Sequence, residues 1–217
     1  QRGTDAAAQI YVLDLAGGEA QRATAISTGA RNPRFSPDGR QLLFTSAVYP
    51  GARDDADNQR IATERAARKY NARVYTGFPV RNWDRWLEER QQHLFVQALD
   101  GSPARDLLAG TALVGAPGFG GRMSDSGEDI EAAWAPDGRS VVFAATTNRH
   151  RAAFDWTHSD LYQVSLVGGE PRRLTGDGSS KGQDNWARPE FSPDGATLHA
   201  QRTPSNGRIY NATRLAA

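Results

Sequence analysis

The stretch Pro33-Arg34-Phe35-Ser36-Pro37-Asp38-Gly39 decides the fold, because close copies of it recur along the chain. The copies are Ala133-Trp134-Ala135-Pro136-Asp137-Gly138 and Pro189-Glu190-Phe191-Ser192-Pro193-Asp194-Gly195. A short apolar run follows each copy, at 41–45, 140–144 and 197–200. Pro-Asp-Gly before such a run predicts a tight hairpin turn, since proline fixes φ, aspartate bonds nearby backbone and glycine accepts positive φ.

A second repeated unit supplies further strands, at 9–15, 93–99, 160–166 and 208–213. The first three copies lead into Gly-rich turns, and a short strand such as 172–175 closes the unit. Four antiparallel strands that recur along a chain are typical of a propeller blade. A sandwich with Asp-Gly turns is the alternative, but it does not predict the same strand order three times. The predicted fold class is all-β: a β-propeller of four-stranded antiparallel blades.

The strands predict one partial propeller domain over 1–217. Its blade pieces lie at about 9–24, 32–108, 130–175 and 187–214, and an insertion at 47–91 interrupts the second piece. These pieces amount to about three blades, whereas closed propellers have typically 4–8. We therefore expect an open fragment of a larger propeller, or one part of a nicked or multi-chain assembly.

Composition excludes several classes of protein. The 217 residues include no cysteine, which rules out a disulfide scaffold, a Cys-ligated metal site and a cysteine nucleophile. The 26 basic and 25 acidic residues are interspersed, so nucleic acid is not an expected partner. No apolar run approaches the ~20 residues of a membrane span, so no membrane is expected either. The four histidines lack metal-ligand spacing, and we expect no metal and no cofactor.

Loop lengths divide the predicted propeller into two faces. By strand alternation, the long connections emerge together on the face opposite the tight turns. These connections lie at about 47–91, 109–129, 146–159 and 176–186. Long surface loops carry function more often than tight turns do. We predict that ligand or partner contacts lie on the face that holds these four loops.

The insertion is predicted to be helical at about 55–90. Residues 55–70 lack Gly and Pro and contain four Ala and three Arg, with one Glu and one Gln, which favours a helix with a weak apolar stripe. Further on, Arg81, Trp83 and Trp86 are candidate substrate-binding residues. Two tryptophans three positions apart fit one face of a helical turn and suit a partner surface. The alternative is that they hold the insertion against its own blade.

Three carboxylates, Glu128, Asp129 and Glu131, crowd the start of an innermost strand. Such carboxylates suit a cationic group, for example the free amine of a peptide, and a solvated loop end is the alternative. Gly178-Ser179-Ser180-Lys181-Gly182 matches the nucleophile-elbow pattern G-x-S-x-G. Because that elbow needs a strand before it and a helix after it, an interblade loop is the better interpretation. No catalytic residue is predicted.

The repeats F/W-S/A-P-D-G and I/L-Y-x-x-x-L with Gly-Gly-Glu resemble the WD-like propeller of TolB-type proteins and prolyl oligopeptidase-family serine peptidases. The insertion is similar to dipeptidyl-peptidase V and acylaminoacyl-peptidase-like enzymes over 72–75, 80–86 and 93–96. The usual pattern there is Arg-His-Trp-Asp-x-Trp before His-Leu-Phe-Val, and Asn82 stands where that pattern has histidine. Residues 181–185 also resemble that family's interblade loop.

The resemblance implies a function that the residues alone do not. In that family the propeller precedes an α/β-hydrolase domain with a Ser-Asp-His triad, covers its active site, filters substrates by size and helps bind the peptide N-terminus. This chain is then the non-catalytic propeller portion of a bacterial serine exopeptidase, and the catalytic hydrolase domain is absent from it.

The partners implied are a C-terminal hydrolase domain of the same protein and a peptide substrate, with a homo-oligomer left open. A periplasmic or secreted location is implied, with the cytoplasm left open. The alternative function is a TolB-type protein-binding scaffold.

Overall fold

A computed structural model describes residues 7–70, 72–75, 77–124, 127–176, 184–206, 208 and 210–217. The chain divides into two compact units. Unit 1 comprises 1–72 and 89–109, and unit 2 comprises 73–88 and 110–217. In chain order the elements are β1 (Tyr11–Val12), β2 (Gln21–Arg22), β3 (Arg31–Phe35), β4 (Gln41–Val48), α1 (Asp55–Ala66), β5 (Arg81–Asn82), β6 (Arg85–Trp86), β7 (Gln91–Ala98), β8 (Arg105–Asp106), β9 (Arg122–Ser124), β10 (Gly127–Asp129), β11 (Ala132–Trp134), β12 (Ser140–Ala145), β13 (Asp160–Ser165), β14 (Arg172–Arg173), β15 (Asn185–Phe191), β16 (Leu198–Thr203) and β17 (Arg214–Ala216).

Unit 1 contains a four-stranded antiparallel sheet in the order β3-β4-β7-β8 and the two-stranded sheet β1-β2. Strands β4 and β7 are buried on both faces along their central residues, and Phe44 stacks on Phe95 with 5.5 Å between ring centroids. Ile10 and Ile26 join Phe44 in one apolar cluster. The residues around the two-stranded sheet therefore pack on the face of the four-stranded sheet within unit 1.

Unit 2 repeats this arrangement. The sheet β11-β12-β13-β14 has four antiparallel strands, and β15-β16-β17 has three. Phe143 of β12 stacks on Tyr162 of β13 with 5.8 Å between centroids, as Phe44 stacks on Phe95 in unit 1. Val142, Leu161 and Ala200 form the apolar cluster between the two sheets.

The repeated strand order confirms the predicted fold class, an all-β propeller of four-stranded antiparallel blades. The predicted Pro-Asp-Gly turns join β3 to β4, β11 to β12 and β15 to β16. In the first of them the Gly39 N–H donates to the Ser36 carbonyl at 2.9 Å, and Gly39 has φ 70°. Glycine suits this position because other residues adopt positive φ at a cost.

The helix in the insertion is confirmed, but it is shorter than predicted. Helix α1 ends at Ala66, and its N-terminus is capped by Asp54, whose carboxylate accepts the Asp57 N–H at 2.8 Å. The weak apolar stripe is reflected in its packing, since the buried residue of α1 is Asn58. Its amide oxygen accepts the Tyr49 N–H at 2.8 Å.

Two further predictions about secondary structure are wrong. Residues 81–86 form the hairpin β5-β6 rather than a helical turn, because Gly77 and Pro79 interrupt helix and Asn82-Trp83-Asp84 suits a tight turn. The third strand of the last sheet is β17 rather than 208–213. Among the described residues of 208–213, the Asn211 side chain donates to the Arg208 carbonyl at 2.9 Å.

Candidate functional site

The acidic segment 128–131 begins on a small hairpin of unit 2. Strand β10 pairs with β9 so that Glu128 lies opposite Met123 and Asp129 lies opposite Arg122. Just before β9, Gly120 exchanges two backbone hydrogen bonds with Thr146, at 2.8 and 3.1 Å. The hairpin and the residues that follow β12 are thereby held together. Strand β10 leads directly into β11, which is an edge strand of its four-stranded sheet.

Glu128 is engaged by a guanidinium group of the protein itself. Arg149 binds it in a bidentate manner, with Nη1 at 2.9 Å from Oε2 and Nη2 at 2.8 Å from Oε1. The two side chains are only 14% and 15% exposed, Arg149 first. The Gly121 N–H also donates to Glu128 Oε1, at 2.7 Å. Its charge is thus compensated internally, as a mostly buried carboxylate requires.

Gly120 makes room for Arg149, and Gly121 makes room for the backbone of Asp129. A Cβ atom on Gly120 would overlap the Arg149 guanidinium, and one on Gly121 would overlap the carbonyl of Asp129. The Gly121 carbonyl accepts from Arg149 Nη2 at 2.9 Å. The loop can pack closely against the arginine and against β10 because these two residues carry no side chain.

Glu131 lies between two arginines. Arg122 Nη1 is 3.2 Å from Glu131 Oε1, and the backbone N–H of Arg188 donates to Oε2 at 2.9 Å. Arg188 Nε lies 3.6 Å from Oε1, and both arginine side chains are at least half exposed. A cationic ligand of Glu131 would therefore meet guanidinium groups on either side. Asp129 Oδ1 accepts the N–H of Ile130 at 2.9 Å.

Arg188 has an unusual backbone conformation that the repeat explains. It lies at a bulge in β15 with φ 49°, and Asn32 lies at the corresponding bulge in β3 with φ 54°. Each of these two residues is followed by a proline and lies three residues before the phenylalanine of the Phe-Ser-Pro-Asp-Gly stretch. Glu131 likewise lies three residues before Trp134. Glu131 and Arg188 therefore occupy equivalent positions on neighbouring blades of unit 2.

The hairpin β5-β6 carries the other predicted site residues. Arg81 lies opposite Trp86, and Trp83 lies in the turn with φ 51° and is 89% exposed. Trp86 stacks on Tyr75 with 6.0 Å between centroids, and the Tyr75 hydroxyl donates to the Leu87 carbonyl at 3.1 Å. The two tryptophans do not share a helical face, and the packing of Trp86 lies within the insertion itself.

The structure brings the carboxylates together with Arg122, Arg149 and Arg188, which the sequence analysis did not single out. Within the described chain, Arg81 is not a partner of Glu128 or Glu131. The repeat itself contains the signal for Arg188, because aligning its copies places that residue beside Glu131. Arg122 lies on β9 and Arg149 lies in the segment after β12, and both are outside the repeated units.

Three other features bear on function: the G-x-S-x-G stretch, metal-ligand groups and membrane-spanning helices. The G-x-S-x-G stretch at 178–182 and most of the loop at 181–185 lie outside the described residues. Among the residues the structure describes, no three His, Asp or Glu side chains are grouped to hold a metal ion. No helix within the described part of the chain has the length and hydrophobicity needed to cross a membrane.

Comparison with known proteins gives two related sequences. The chain is 30% identical over 186 residues to dipeptidyl-peptidase 5 of Porphyromonas endodontalis, which covers 82% of this chain and 24% of that protein. It is 26% identical over 166 residues to dipeptidyl-peptidase 5 of Porphyromonas gingivalis, covering 76% of this chain and 22% of that protein. The chain thus spans about a quarter of the length of the curated relatives it matches.

Among solved structures, TolB from Acinetobacter baumannii matches with a TM-score of 0.48 and 19% identity, over 95% of this chain and 34% of that one. No family model matches the chain.

Proposed function

We propose that this chain, a homologue of the dipeptidyl-peptidase 5 proteins over most of its length, is the non-catalytic propeller portion of a serine exopeptidase of the dipeptidyl- or acylaminoacyl-peptidase type. The observation that carries the proposal is that relatives with this name match 76% and 82% of the chain. Since those matches occupy about a quarter of each relative, the proposal includes a C-terminal α/β-hydrolase domain in the same protein.

Both units belong, in this proposal, to one partial propeller domain over 1–217. The propeller gates access to the reactive serine and helps bind the N-terminus of the peptide substrate. The parent protein acts in the periplasm or outside the cell, which the family resemblance alone supports.

Within the propeller, the proposed substrate contacts are the segment 128–131 and the hairpin 81–86. Glu131 and Asp129 are the carboxylates just before β11. In this proposal a peptide amine reaches Glu131 by displacing the guanidinium groups of Arg122 and Arg188, which are at least half exposed and are therefore held only weakly. Glu128 supports them through its bond to Arg149. Arg81, Trp83 and Trp86 offer an exposed cation and two exposed rings, which suit contacts with the peptide or its side chains.

The test of the peptidase function uses the polypeptide that the gene encodes and residues 1–217 alone. Both are assayed with dipeptidyl chromogenic substrates, with and without a serine-directed inhibitor. We expect inhibitor-sensitive release of the dipeptide by the gene product and no turnover by residues 1–217. Turnover by residues 1–217 alone contradicts the non-catalytic role. A gene product that has only further blades and no peptidase activity supports the TolB-type scaffold instead.

The substrate contact is tested in the active gene product by Glu131→Gln. This change keeps the size of the side chain and removes its charge, so the KM for free-amine peptides should rise. Glu64→Gln is the matched control, because Glu64 lies on the exposed surface of α1 in an ion pair with Arg60. An equal effect of Glu131→Gln on N-blocked peptides contradicts amine binding.

A further inference from the structure

The geometry points to Arg149 as a positioning residue for the peptide-binding segment. Its guanidinium fixes the strand β10, and through it Asp129 and Glu131, at the start of the innermost strand of the blade. This inference rests on the proposed function, because the segment it positions is the proposed site for the peptide N-terminus.

The guanidinium of Arg149 links Gly121 to Glu128. Nη2 donates to both Glu128 Oε1 and the Gly121 carbonyl, while the Gly121 N–H donates back to Glu128 Oε1. Nη1 binds the second carboxylate oxygen, so the plane of the guanidinium is fixed relative to that of the carboxylate. The backbone at Gly121 and the side chain of Glu128 are therefore held in one arrangement by a single arginine.

A chain of contacts connects Glu128 to the proposed substrate contacts Asp129 and Glu131. Asp129 follows Glu128 directly and lies opposite Arg122 on β9. Arg122 in turn binds Glu131, at 3.2 Å. A shift of Glu128 therefore displaces the strand, its partner Arg122 and the carboxylate of Glu131 together.

Lysine does not replace arginine in this position. A single ammonium group cannot bind both carboxylate oxygens in the guanidinium plane and reach the Gly121 carbonyl at the same time. Removal of Arg149 leaves the mostly buried Glu128 without its counter-charge, which favours movement of the segment toward water. Lysine keeps a positive charge beside Glu128, so Arg149→Lys should have a smaller effect than Arg149→Ala.

The experiment measures kcat and KM of the active gene product on a free-amine dipeptidyl substrate, and the inhibition constant of the matching N-acetyl dipeptide. The variants are Arg149→Ala, Arg149→Lys and Glu128→Gln. Arg151→Ala is the matched control, because Arg151 is an exposed arginine two residues away, 3.7 Å from Asp155. We expect KM to rise about tenfold in Arg149→Ala, since weakening the contact to a charged amine by about 1.4 kcal/mol is a tenfold loss of affinity. The rise in KM should be smaller in Arg149→Lys. In both variants, kcat and the inhibition constant of the N-acetyl dipeptide should change little.

A fall in kcat together with equal losses for both ligands would show a general structural role and overturn the positioning role. Hydrogen exchange on the 217-residue chain gives an independent measurement. In Arg149→Lys and Glu128→Gln, which retain more of the contacts than Arg149→Ala, the amides of Gly121 and Ile130 should exchange faster while those of β4 stay unchanged. Unchanged exchange in the segment also overturns the inference. If the wild-type gene product has no peptidase activity, the proposed function fails, and the exchange data still decide whether Arg149 holds this segment.

Discussion

The Ser36 hydroxyl adds two hydrogen bonds to the turn between β3 and β4. Its oxygen accepts the Gln41 N–H at 2.9 Å and donates to Asp38 Oδ1 at 2.6 Å. Ser36 is buried, so water cannot readily replace the serine as acceptor for the Gln41 N–H. Ser36→Ala keeps the backbone of the turn and removes both bonds.

The bond to the Gln41 N–H sets the expected loss of stability. A typical intramolecular hydrogen bond contributes about 0.5–1.5 kcal/mol net. For a chain of this size, about 1 kcal/mol shifts the Tm by about 2–4 °C. We therefore expect Ser36→Ala to lower the Tm by about 1–6 °C at about pH 6, with a matching fall in the urea midpoint. A variant as stable as the wild type under these conditions would refute the role given to the hydroxyl.

The bond to Asp38 makes this loss dependent on pH. The Ser36 hydroxyl and the Arg40 N–H hold the pKa of the Asp38 carboxyl below its ordinary value of 3.8. A carboxyl whose pKa is lowered in the folded state stabilises the fold above its unfolded pKa, and the effect disappears as the pH falls through the folded pKa. The difference between wild type and Ser36→Ala should therefore be smaller at about pH 3 than at about pH 6. A difference that grows toward acid contradicts this sign.

The equivalent turn between β11 and β12 allows the reverse substitution to be tested. Ala135 occupies the place of Ser36 in the β11-β12 turn, where the Ala135 N–H donates to the Ser140 carbonyl at 2.9 Å as Ser36 does to Gln41. Ala135→Ser should introduce an acceptor for the Ser140 N–H and a donor to Asp137. We expect it to raise the urea midpoint of unit 2 by a comparable amount, and a loss of stability in its place would show that the two turns are not equivalent.

Three further changes test the packing, the turn and the helix cap, each by urea denaturation. Phe44→Ala and Phe143→Ala each remove a fully buried ring that stacks on the next strand, and each should cost about 3–5 kcal/mol; losses below about 1 kcal/mol would contradict the core assignment. Trp83→Asn should be more stable than Trp83→Ala by up to about 1 kcal/mol, because asparagine tolerates the positive φ of this turn; the reverse order would contradict it. Asp54→Ala should cost about 0.5–2 kcal/mol through loss of the N-cap of α1, whereas an unchanged midpoint would argue against the cap.

The blades could be predicted from sequence because their information is local. Pro37-Asp38-Gly39 dictates a turn within a few residues, and the apolar run of β4 must then fold back beside β3. The same stretch recurs twice, so an error at one copy would be visible at the others. Short closing strands such as β14 follow from the same repeat, since each extends a sheet that is already placed.

The insertion was predicted less well because its local pattern fits two structures. Trp83 and Trp86 are three residues apart, which suits a helical turn, but they also fit the turn and second strand of a hairpin. The deciding contacts are the pairing of Arg81 with Trp86 and the stacking of Trp86 on Tyr75. Gly77 and Pro79 were the available signals against a continuous helix.

For the candidate site, the carboxylates can be recognised in the sequence, but the arginines that bind them cannot. Glu128 and Arg149 are 21 residues apart, and Glu131 and Arg188 are 57 apart, so no local pattern pairs them. Only the blade repeat links Glu131 to Arg188, by placing both three residues before the aromatic residue of successive inner strands. In a propeller, then, equivalent positions of successive inner strands should be examined together. A carboxylate at one such position and an arginine at the next predict a pair that leaves less charge for a ligand than either residue suggests alone.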